Sequence, residues 1–320
     1  LNTGRNRDQW HTQTRSGKSS ILTNRHPEPE VSINPIDALN LGIKQAQLVT
    51  ISGVASASTE PLREAKLSTD RPQLIMRANV TKSVSKNALF IPIHWSKSNF
   101  NQGCVSQLMP ARLDKISGQP AFKHNQVNIK PCQVNSEALL VVKTMMKISS
   151  TNTDIVYQVE QKIAGGYCYH LASNQSPEDF FSYLDKLVCA QNNTKQVMDS
   201  LNANEPLKQY FRKSYLIQGQ LHSAILVSPN KSELPQGWIS QCYQLGESVN
   251  DKRELISNNA KQLQQKKTFC QCLNIELNQV TQAIEQGELT VNDIRAKTGA
   301  GNGCGSCIGD IALMLKAHSF

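Results

Sequence analysis

The sequence predicts an α+β chain of several domains, and three observations carry that reading. Its 320 residues are about two domains' worth by length, or three small ones. The first 132 residues break into short β-rich runs parted by Gly, Pro, Ser and Asn, which suggests a closed or partly closed barrel. The last residues hold two tight cysteine pairs among short helical patterns. These observations divide the chain into a β-rich N-terminal domain (1–132), an α/β linker domain (133–265) and a small helical module (266–320).

In the first domain, Val31–Ile33 is a short extended run. Asn34 and Pro35 follow as N-cap and first position of a helix over Ile36–Leu41, stopped by Gly42. Leu48–Ile51, Leu74–Val80, Ala88–Ile93 and Val127–Ile129 are further β-rich runs. The polar, Ser/Ala-rich stretch Gly53–Asp70 is a long loop. In the linker domain, Leu139–Ile148 and Ile155–Ile163 are expected strands. Pro177–Val188 is an expected helix, with Ser176 as N-cap and Glu178 and Asp179 in its first turn. Helices are also expected from Leu234 and over Asp251–Lys267. The module holds helices over Glu276–Gln286 with Gly287 as stop, Val291–Lys297 with Gly299, and Ser306–Lys316, whose Ile308, Ile311, Ala312 and Leu315 share one face.

Composition excludes some functions. The longest apolar runs, such as Ala138–Val142, fall far short of the ~18–20 residues of a membrane-spanning helix. No charged leader with an apolar stretch is visible. The sequence begins at Leu1 without an initiator methionine and reads as a C-terminal fragment. Net charge is +9, and residues 1–26 carry Arg5, Arg7, Arg15, Lys18 and Arg25 against Asp8 alone, a local +4. No nucleic-acid motif accompanies that charge, so nucleic acid is not expected as a partner.

The strongest chemical signal is Cys270-Gln-Cys272, followed by Cys304-Gly-Ser-Cys307. Four thiolates in two close pairs can wrap one inorganic centre. In an intracellular chain this pattern reads as metal binding rather than a disulfide framework. Gly299, Gly301, Gly303 and Gly305 let backbone approach the sulfurs and donate N–H groups. Spacing alone leaves two centres open. Structural zinc favours C-x₂₋₄-C in both halves, for which C-x-C is tight; a [2Fe–2S] cluster tolerates varied spacing. Cys104, Cys132, Cys168, Cys189 and Cys242 have no ligand spacing and read as single thiols.

The N-terminus, Leu1-Asn-Thr-Gly-Arg-Asn-Arg-Asp-Gln-Trp-His-Thr12, is dense in anion-binding groups. Its hydroxyls, its arginines and the backbone around Gly4 suit a pyrophosphate. Trp10 and His11 suit a flat heterocycle. A solvated basic face with Trp10 in the core is the competing reading.

Two resemblances sharpen these readings. Cys270-Gln-Cys272-Leu…Val280-Thr-Gln-Ala-Ile284…Gly287…Gly299-Ala-Gly-Asn-Gly-Cys304-Gly-Ser-Cys307 resembles the [2Fe–2S] domain of bacterioferritin-associated ferredoxin, with Asn302-Gly303 where Thr-Asn is common. It implies a cluster on Cys270, Cys272, Cys304 and Cys307. Asn2-Thr-Gly-Arg-x-Arg-Asp-Gln-Trp-His-Thr…Thr-Arg-x-Gly-Lys is similar to the start of the molybdopterin-dinucleotide-binding domain of assimilatory nitrate reductases, in the dimethyl sulfoxide reductase superfamily. Gln13 stands where Met is common. Asn34–Ile43, Leu89-Phe-Ile-Pro-Ile-His-Trp95 and Ile116–Lys123 agree with the same domain. Residues 133–265 resemble that enzyme's variable linker.

This resemblance implies a double-psi β-barrel-like domain and molybdenum bis(molybdopterin guanine dinucleotide) as cofactor. By position it places Thr3, Gly4, Arg5, Arg7, Gln9, Trp10, His11, Thr12, Asn101 and Lys123 at the dinucleotide. It implies a cytoplasmic nitrate reductase, with nitrate as substrate and a protein electron donor: ferredoxin, flavodoxin or an NADH-linked reductase subunit. A [4Fe–4S] cluster is expected in an N-terminal part not present here, no residue of this chain is assigned as catalytic, and the fragment alone is expected to be inactive. The alternatives are a stand-alone iron–sulfur electron carrier and a formate dehydrogenase of the same superfamily.

Overall fold

The structure is a computed structural model, and it describes residues 1–54, 72–110, 113–148, 154–191, 198–231, 234, 268–288 and 290–318. Most of the loop expected over Gly53–Asp70, and the helices expected beyond Leu234 and over Asp251–Lys267, lie outside the described residues.

The N-terminal unit is a six-stranded mixed sheet: β1 (Asn2–Gly4), β2 (Glu30–Ile33), β3 (Leu48–Gly53), β4 (Gln73–Val80), β5 (Leu89–Pro92) and β6 (Val127–Pro131). The spatial order is β1-β5-β2-β4-β3-β6. β1 pairs with β5 and β2 with β4 in parallel, and the remaining pairs are antiparallel. Leu1 and Asn125 exchange backbone hydrogen bonds (2.5 and 3.2 Å), which brings the chain entering β1 against the chain entering β6. The β-branched and aliphatic runs form this sheet because alternate residues bury: Val31, Ile33, Val49, Ile51, Leu74, Met76 and Ile91 fill one core. The one-turn helix α1 (Ser20–Thr23) precedes β2. Helix α2 (Pro35–Asn40) starts where capping predicts: the Asn34 side chain accepts from the Ile36 N–H at 3.0 Å, and Gly42 leaves the helix at φ +65°.

The second unit is a six-stranded sheet, antiparallel throughout, in the order β10-β11-β12-β7-β9-β8. Its strands are β7 (Ser136–Val142), β8 (Ile155–Ile163), β9 (Gly166–Ser173), β10 (Asp199–Asn202), β11 (Phe211–Ile217) and β12 (Gln220–Ser228). Among the described residues one long helix, α3 (Pro177–Gln191), packs on this antiparallel sheet. Every residue of β7 is buried, because both faces of the sheet are covered. Ala138, Leu140 and Val142 meet Phe180, Leu184 and Val188 of α3, and Leu139 and Val141 pack on the opposite side. The strand expected over Leu139–Ile148 ends at Val142. Beyond it, the Tyr169 hydroxyl donates to the Met146 carbonyl (2.8 Å) and accepts from the Met146 N–H (2.9 Å), so a side chain replaces the ladder. β8 alternates buried and half-buried, and its Tyr157 and Val159 enter the N-terminal core, so the two units share a packed seam.

The third unit is the hairpin β13 (Thr268–Cys270) and β14 (Ile275–Glu276) with α4 (Leu277–Glu285), α5 (Val291–Thr298) and α6 (Ile308–His318) around a core of Val280, Ile284, Ile294 and Ile311. Thr290 and Asp293 form a reciprocal capping box on α5, and Gly299 closes it at φ +79°. Among the described residues no helix is long and apolar enough to cross a membrane.

Candidate functional site: a cysteine row and an anion-binding loop

Both candidate sites are built from turns. Cys270 ends β13 and Cys272 sits in the turn that follows it. Cys304 and Cys307 lie in the turn that leads into α6. Cys270 Sγ is 3.7 Å from Cys272 Sγ, and the Cys304 N–H points at Cys272 Sγ at 3.4 Å. The Cys270 thiol also contacts Cys307, and Cys272 contacts Cys304, so the sulfurs form a row 307–270–272–304. Among the described residues no three His, Cys, Asp or Glu groups converge on a single point as one metal ion would require.

The backbone is shaped around these sulfurs. A Cβ on Gly303 would lie 2.7 Å from Cys272 Sγ, a contact real Cβ atoms do not make. Gly301 and Gly305 adopt φ of +86° and +75°. Burial opposes ionisation of Cys270, yet N–H groups of Gly301 and Leu273 and the thiols of Cys307 and Cys272 hold its pKa below the ordinary thiol value. Cys304 is lowered in the same way by Ser306, against burial. Burial, with the neighbouring sulfurs, pushes Cys272 and Cys307 up to about 11. Lowered and raised thiols therefore alternate along the row, and metal binding requires all four in the thiolate form.

The second site is the loop after β1. Thr3 is buried; its hydroxyl donates to the Phe122 carbonyl (2.9 Å), and the Lys123 ammonium donates to the Thr3 carbonyl. Gly4 packs so tightly on Phe90 that a Cβ would stand 2.7 Å from its ring. Arg5 is exposed with its guanidinium 5.7 Å from the Trp10 ring centroid, and Trp10 is itself 54% exposed, which places it outside the core. His11 and Thr12 are exposed, and His11 adopts φ +46°. Gln9 is buried and accepts from the Ser16 hydroxyl at 2.7 Å.

His94 braces this loop from beneath. It is fully buried, its Nε2 accepts from the Asn6 N–H (2.8 Å), and its Nδ1 stands 2.6 Å from the His11 carbonyl. A ring nitrogen that accepts carries no proton, so Nδ1 holds it and donates to His11. Burial lowers the pKa of His94, which keeps this neutral tautomer.

Two residues assigned by position look elsewhere. Asn101 is exposed, and its Oδ1 accepts from the Gln158 N–H of β8 (2.9 Å); its neighbour Asn99 reaches the loop instead, donating to Gln13 Oε1 at 3.0 Å. Arg7 turns to the third unit: it pairs with Asp310 and donates to the Phe269 carbonyl at 2.9 Å.

A buried ionic cluster escaped the sequence reading altogether. Glu28 of the N-terminal unit meets Arg77 (3.0 Å), Lys231, and the Tyr157 hydroxyl (3.0 Å) at the seam with the second sheet, while Arg77 also pairs with Glu137 at 2.8 Å. These residues are scattered along the chain, so no local motif announces them.

Residues 1–59 and 63–126 match the family model described as molydopterin dinucleotide binding domain, and residues 268–317 match the BFD-like [2Fe-2S] binding domain. The chain carries both of these domains. A nitrate reductase from Shewanella frigidimarina is 32% identical over 57% of the chain and 19% of its own length. A nitrate reductase from Klebsiella oxytoca is 23% identical over 99% of the chain and 34% of its own length. The assimilatory nitrate reductase catalytic subunit of Bacillus subtilis is 28% identical over 41% of the chain and 16% of its own length. The chain thus spans between 16% and 34% of the length of these relatives. The anion-binding loop belongs to the dinucleotide domain, and the cysteine row to the [2Fe-2S] domain.

Proposed function

We propose that this chain is the C-terminal part of a cytoplasmic, assimilatory nitrate reductase. The observation that carries the reading is the presence, in one chain, of the dinucleotide domain and the cysteine row, with a nitrate reductase relative aligned along 99% of it. In the whole enzyme nitrate, two electrons and two protons give nitrite and water.

The residues fit the groups they would hold. Gln13 Nε2 is buried beside the loop without a hydrogen-bond partner, and Arg5, Trp10, His11 and Thr12 stand exposed around it. Arg5 and the backbone near Gly4 would take the pyrophosphate, with Lys123 and Asn101 at the margin. Trp10, with His11, would flank a flat ring. Thr3 and Gln9 hold the loop in shape from the buried side. The mixed sheet, with its parallel pairs β1–β5 and β2–β4, supports a double-psi β-barrel-like domain. Cys270, Cys272, Cys304 and Cys307 would hold the cluster, and the N–H groups of Gly301, Leu273 and Cys304 would stabilise negative sulfur. When bound, the cluster supplies single-electron transfer and the molybdenum cofactor supplies oxygen-atom chemistry. The chain's part is to bind, orient and shield both. Electrons would come from a ferredoxin, a flavodoxin or an NADH-linked reductase subunit, and a [4Fe–4S] cluster would sit in the rest of the enzyme.

The test uses the full-length enzyme purified anaerobically. Iron and acid-labile sulfide in equal amounts, molybdenum with guanine nucleotide, and viologen-driven nitrate reduction are expected. Cys304→Ser should lose the C-terminal cluster and donor-dependent turnover while dye-driven reduction persists. Stoichiometric zinc in place of iron in a separately expressed C-terminal chain, or full donor-dependent turnover in Cys304→Ser, would overturn the proposal.

A further inference from the structure

We infer that Arg7 is a clamp rather than a dinucleotide contact: it holds the [2Fe-2S] module on the dinucleotide domain and sets the position and reduction potential of the centre there. The inference rests on the two-cofactor reading above.

Every edge of the Arg7 guanidinium is engaged, by Asp8 within its own loop and by Asp310 and Phe269 of the third unit beyond it. Its Nε and Nη2 meet Asp8 at 3.0–3.2 Å, its Nη1 meets Asp310, and its Nη2 also donates to the Phe269 carbonyl at 2.9 Å. Phe269 immediately precedes Cys270, and Asp310 lies three residues beyond Cys307 in the first turn of α6. One side chain from the N-terminal loop therefore touches both halves of the cysteine row's scaffold. Asp8 is buried and its Oδ2 also meets Arg25 at 3.5 Å, so the clamp has a fixed base. Arg5, two residues earlier, is free and exposed over Trp10; the loop divides its arginines between two tasks.

Charge supports the same joint. Residues 1–26 carry +4, while residues 268–320 carry three basic against five acidic residues, or −2. A cleft of about 490 Å³ opens beside Arg7, Arg25, Phe269, Gln271, Leu277 and Asp310, so the joint is open to solvent and its charged groups stand beside apolar ones. A bidentate guanidinium keeps its geometry in such a setting where Lys would not. A four-thiolate cluster is negative and gains further negative charge on reduction. A fixed guanidinium nearby favours the reduced form and raises the potential.

The test compares wild-type full-length enzyme with Arg7→Gln, Asp310→Asn and the double variant. Metal, sulfide and guanine nucleotide are counted per chain, and the midpoint of the C-terminal cluster is followed by electron paramagnetic resonance during redox titration. Arg7→Gln should keep molybdenum and guanine nucleotide at wild-type levels. At a fixed solution potential it should show about tenfold less reduced cluster, a shift of about 59 mV to lower potential for a one-electron couple. Asp310→Asn, which cannot touch the dinucleotide on either reading, should shift the midpoint the other way. With Asp310 neutralised, Arg7→Gln should still lower the midpoint, because the charge it removes is the guanidinium's own. Loss of molybdenum and nucleotide in Arg7→Gln with an unmoved midpoint would overturn the inference, as would an unmoved midpoint in both single variants. Absence of the C-terminal cluster from the wild type would defeat the two-cofactor reading itself, and so stands apart from those failures.

Discussion

Glu28→Gln tests the seam between the first two units. Glu28 is fully buried, and Arg77, Lys231 and the Tyr157 hydroxyl all converge on its carboxylate. Burial by itself would raise its pKa, but Arg77 and Lys231 outweigh that and hold it well below the usual carboxylate range. The amide is nearly isosteric, so packing survives, while buried Lys231 loses its carboxylate partner and Arg77 keeps only Glu137. Removing one partner of a buried ion pair costs about 3–5 kcal/mol. At roughly 2 °C per kcal/mol for a chain this long, Tm should fall by about 6–10 °C at pH 7. Thermal unfolding of the full chain, followed by near-ultraviolet circular dichroism, reads this directly. Glu30→Gln is the control, since Glu30 meets only half-exposed His26 at 3.6 Å and should move Tm by less than about 2 °C. A Glu28→Gln change no larger than the control would refute the reasoning.

The same cluster fixes a pH dependence. Burial pushes the pKa of His170 down to about 3 against the attraction of Glu28. Its Nε2 faces Gln161 Oε1 at 2.9 Å and its Nδ1 faces the Lys231 ammonium at 3.3 Å, so Nδ1 accepts and the ring is neutral. The unfolded chain takes up a proton at His170 below about pH 6.5 and the folded chain does not, so stability falls by up to about 1.4 kcal/mol per pH unit as the medium is acidified. Below about pH 4.5 Glu28 adds to the loss, because its stabilisation is present above its unfolded pKa and vanishes as pH drops toward its folded one. His170→Gln should flatten the decline between pH 6.5 and 4.5, measured as urea midpoints; an unchanged slope would assign it to other groups.

Further outcomes can be measured at the two sites. Gly303→Ala should lower iron and acid-labile sulfide per chain severalfold, since its methyl would stand 2.7 Å from Cys272 Sγ; wild-type occupancy would show that the loop yields. His94→Ala should leave the Asn6 N–H without its partner and destabilise the fold by about 1–3 kcal/mol in denaturant titration, with a parallel loss of guanine nucleotide. Arg5→Ala in the full-length enzyme should weaken cofactor retention on the order of ten- to a hundredfold, read as molybdenum remaining after dialysis, because a charged hydrogen bond to phosphate contributes about 1.5–3 kcal/mol.

Local chemistry made much of this fold legible. Asn34-Pro35 announces α2, Ser176-Pro177 announces α3, and the β-branched runs mark β2, β3, β4 and β8 near their true ends. The hairpin β11–β12 went unseen although Gln218 and Gly219, at φ +52° and +77°, make its two-residue turn. Gln is an unusual first residue for such a turn, so no Asn-Gly or Asp-Gly signal was there to find. β9 went unseen because it is buried on both sides and therefore lacks alternation. At the sites, the cysteine spacing was visible because all four cysteines sit on two short turns. Contacts that join distant segments were not. Glu28 with Lys231, His94 with Asn6, and Arg7 with Asp310 each need the tertiary fold to bring them together.

Those long-range contacts differ in kind, and the difference bears on how the parts are held. The Glu28 cluster lies in a seam already sealed by Tyr157 and Val159 in the N-terminal core. Apolar burial does the joining there, and the desolvated charges add geometric strictness, because any slippage strands a buried cation. The Arg7 joint has an open cleft beside it and Asp310 half-exposed, so solvent screens its charges. Its strength should fall with ionic strength while that of the Glu28 seam stays constant. The first two units are thus joined by apolar burial, and the [2Fe-2S] domain meets them through a contact that responds to charge.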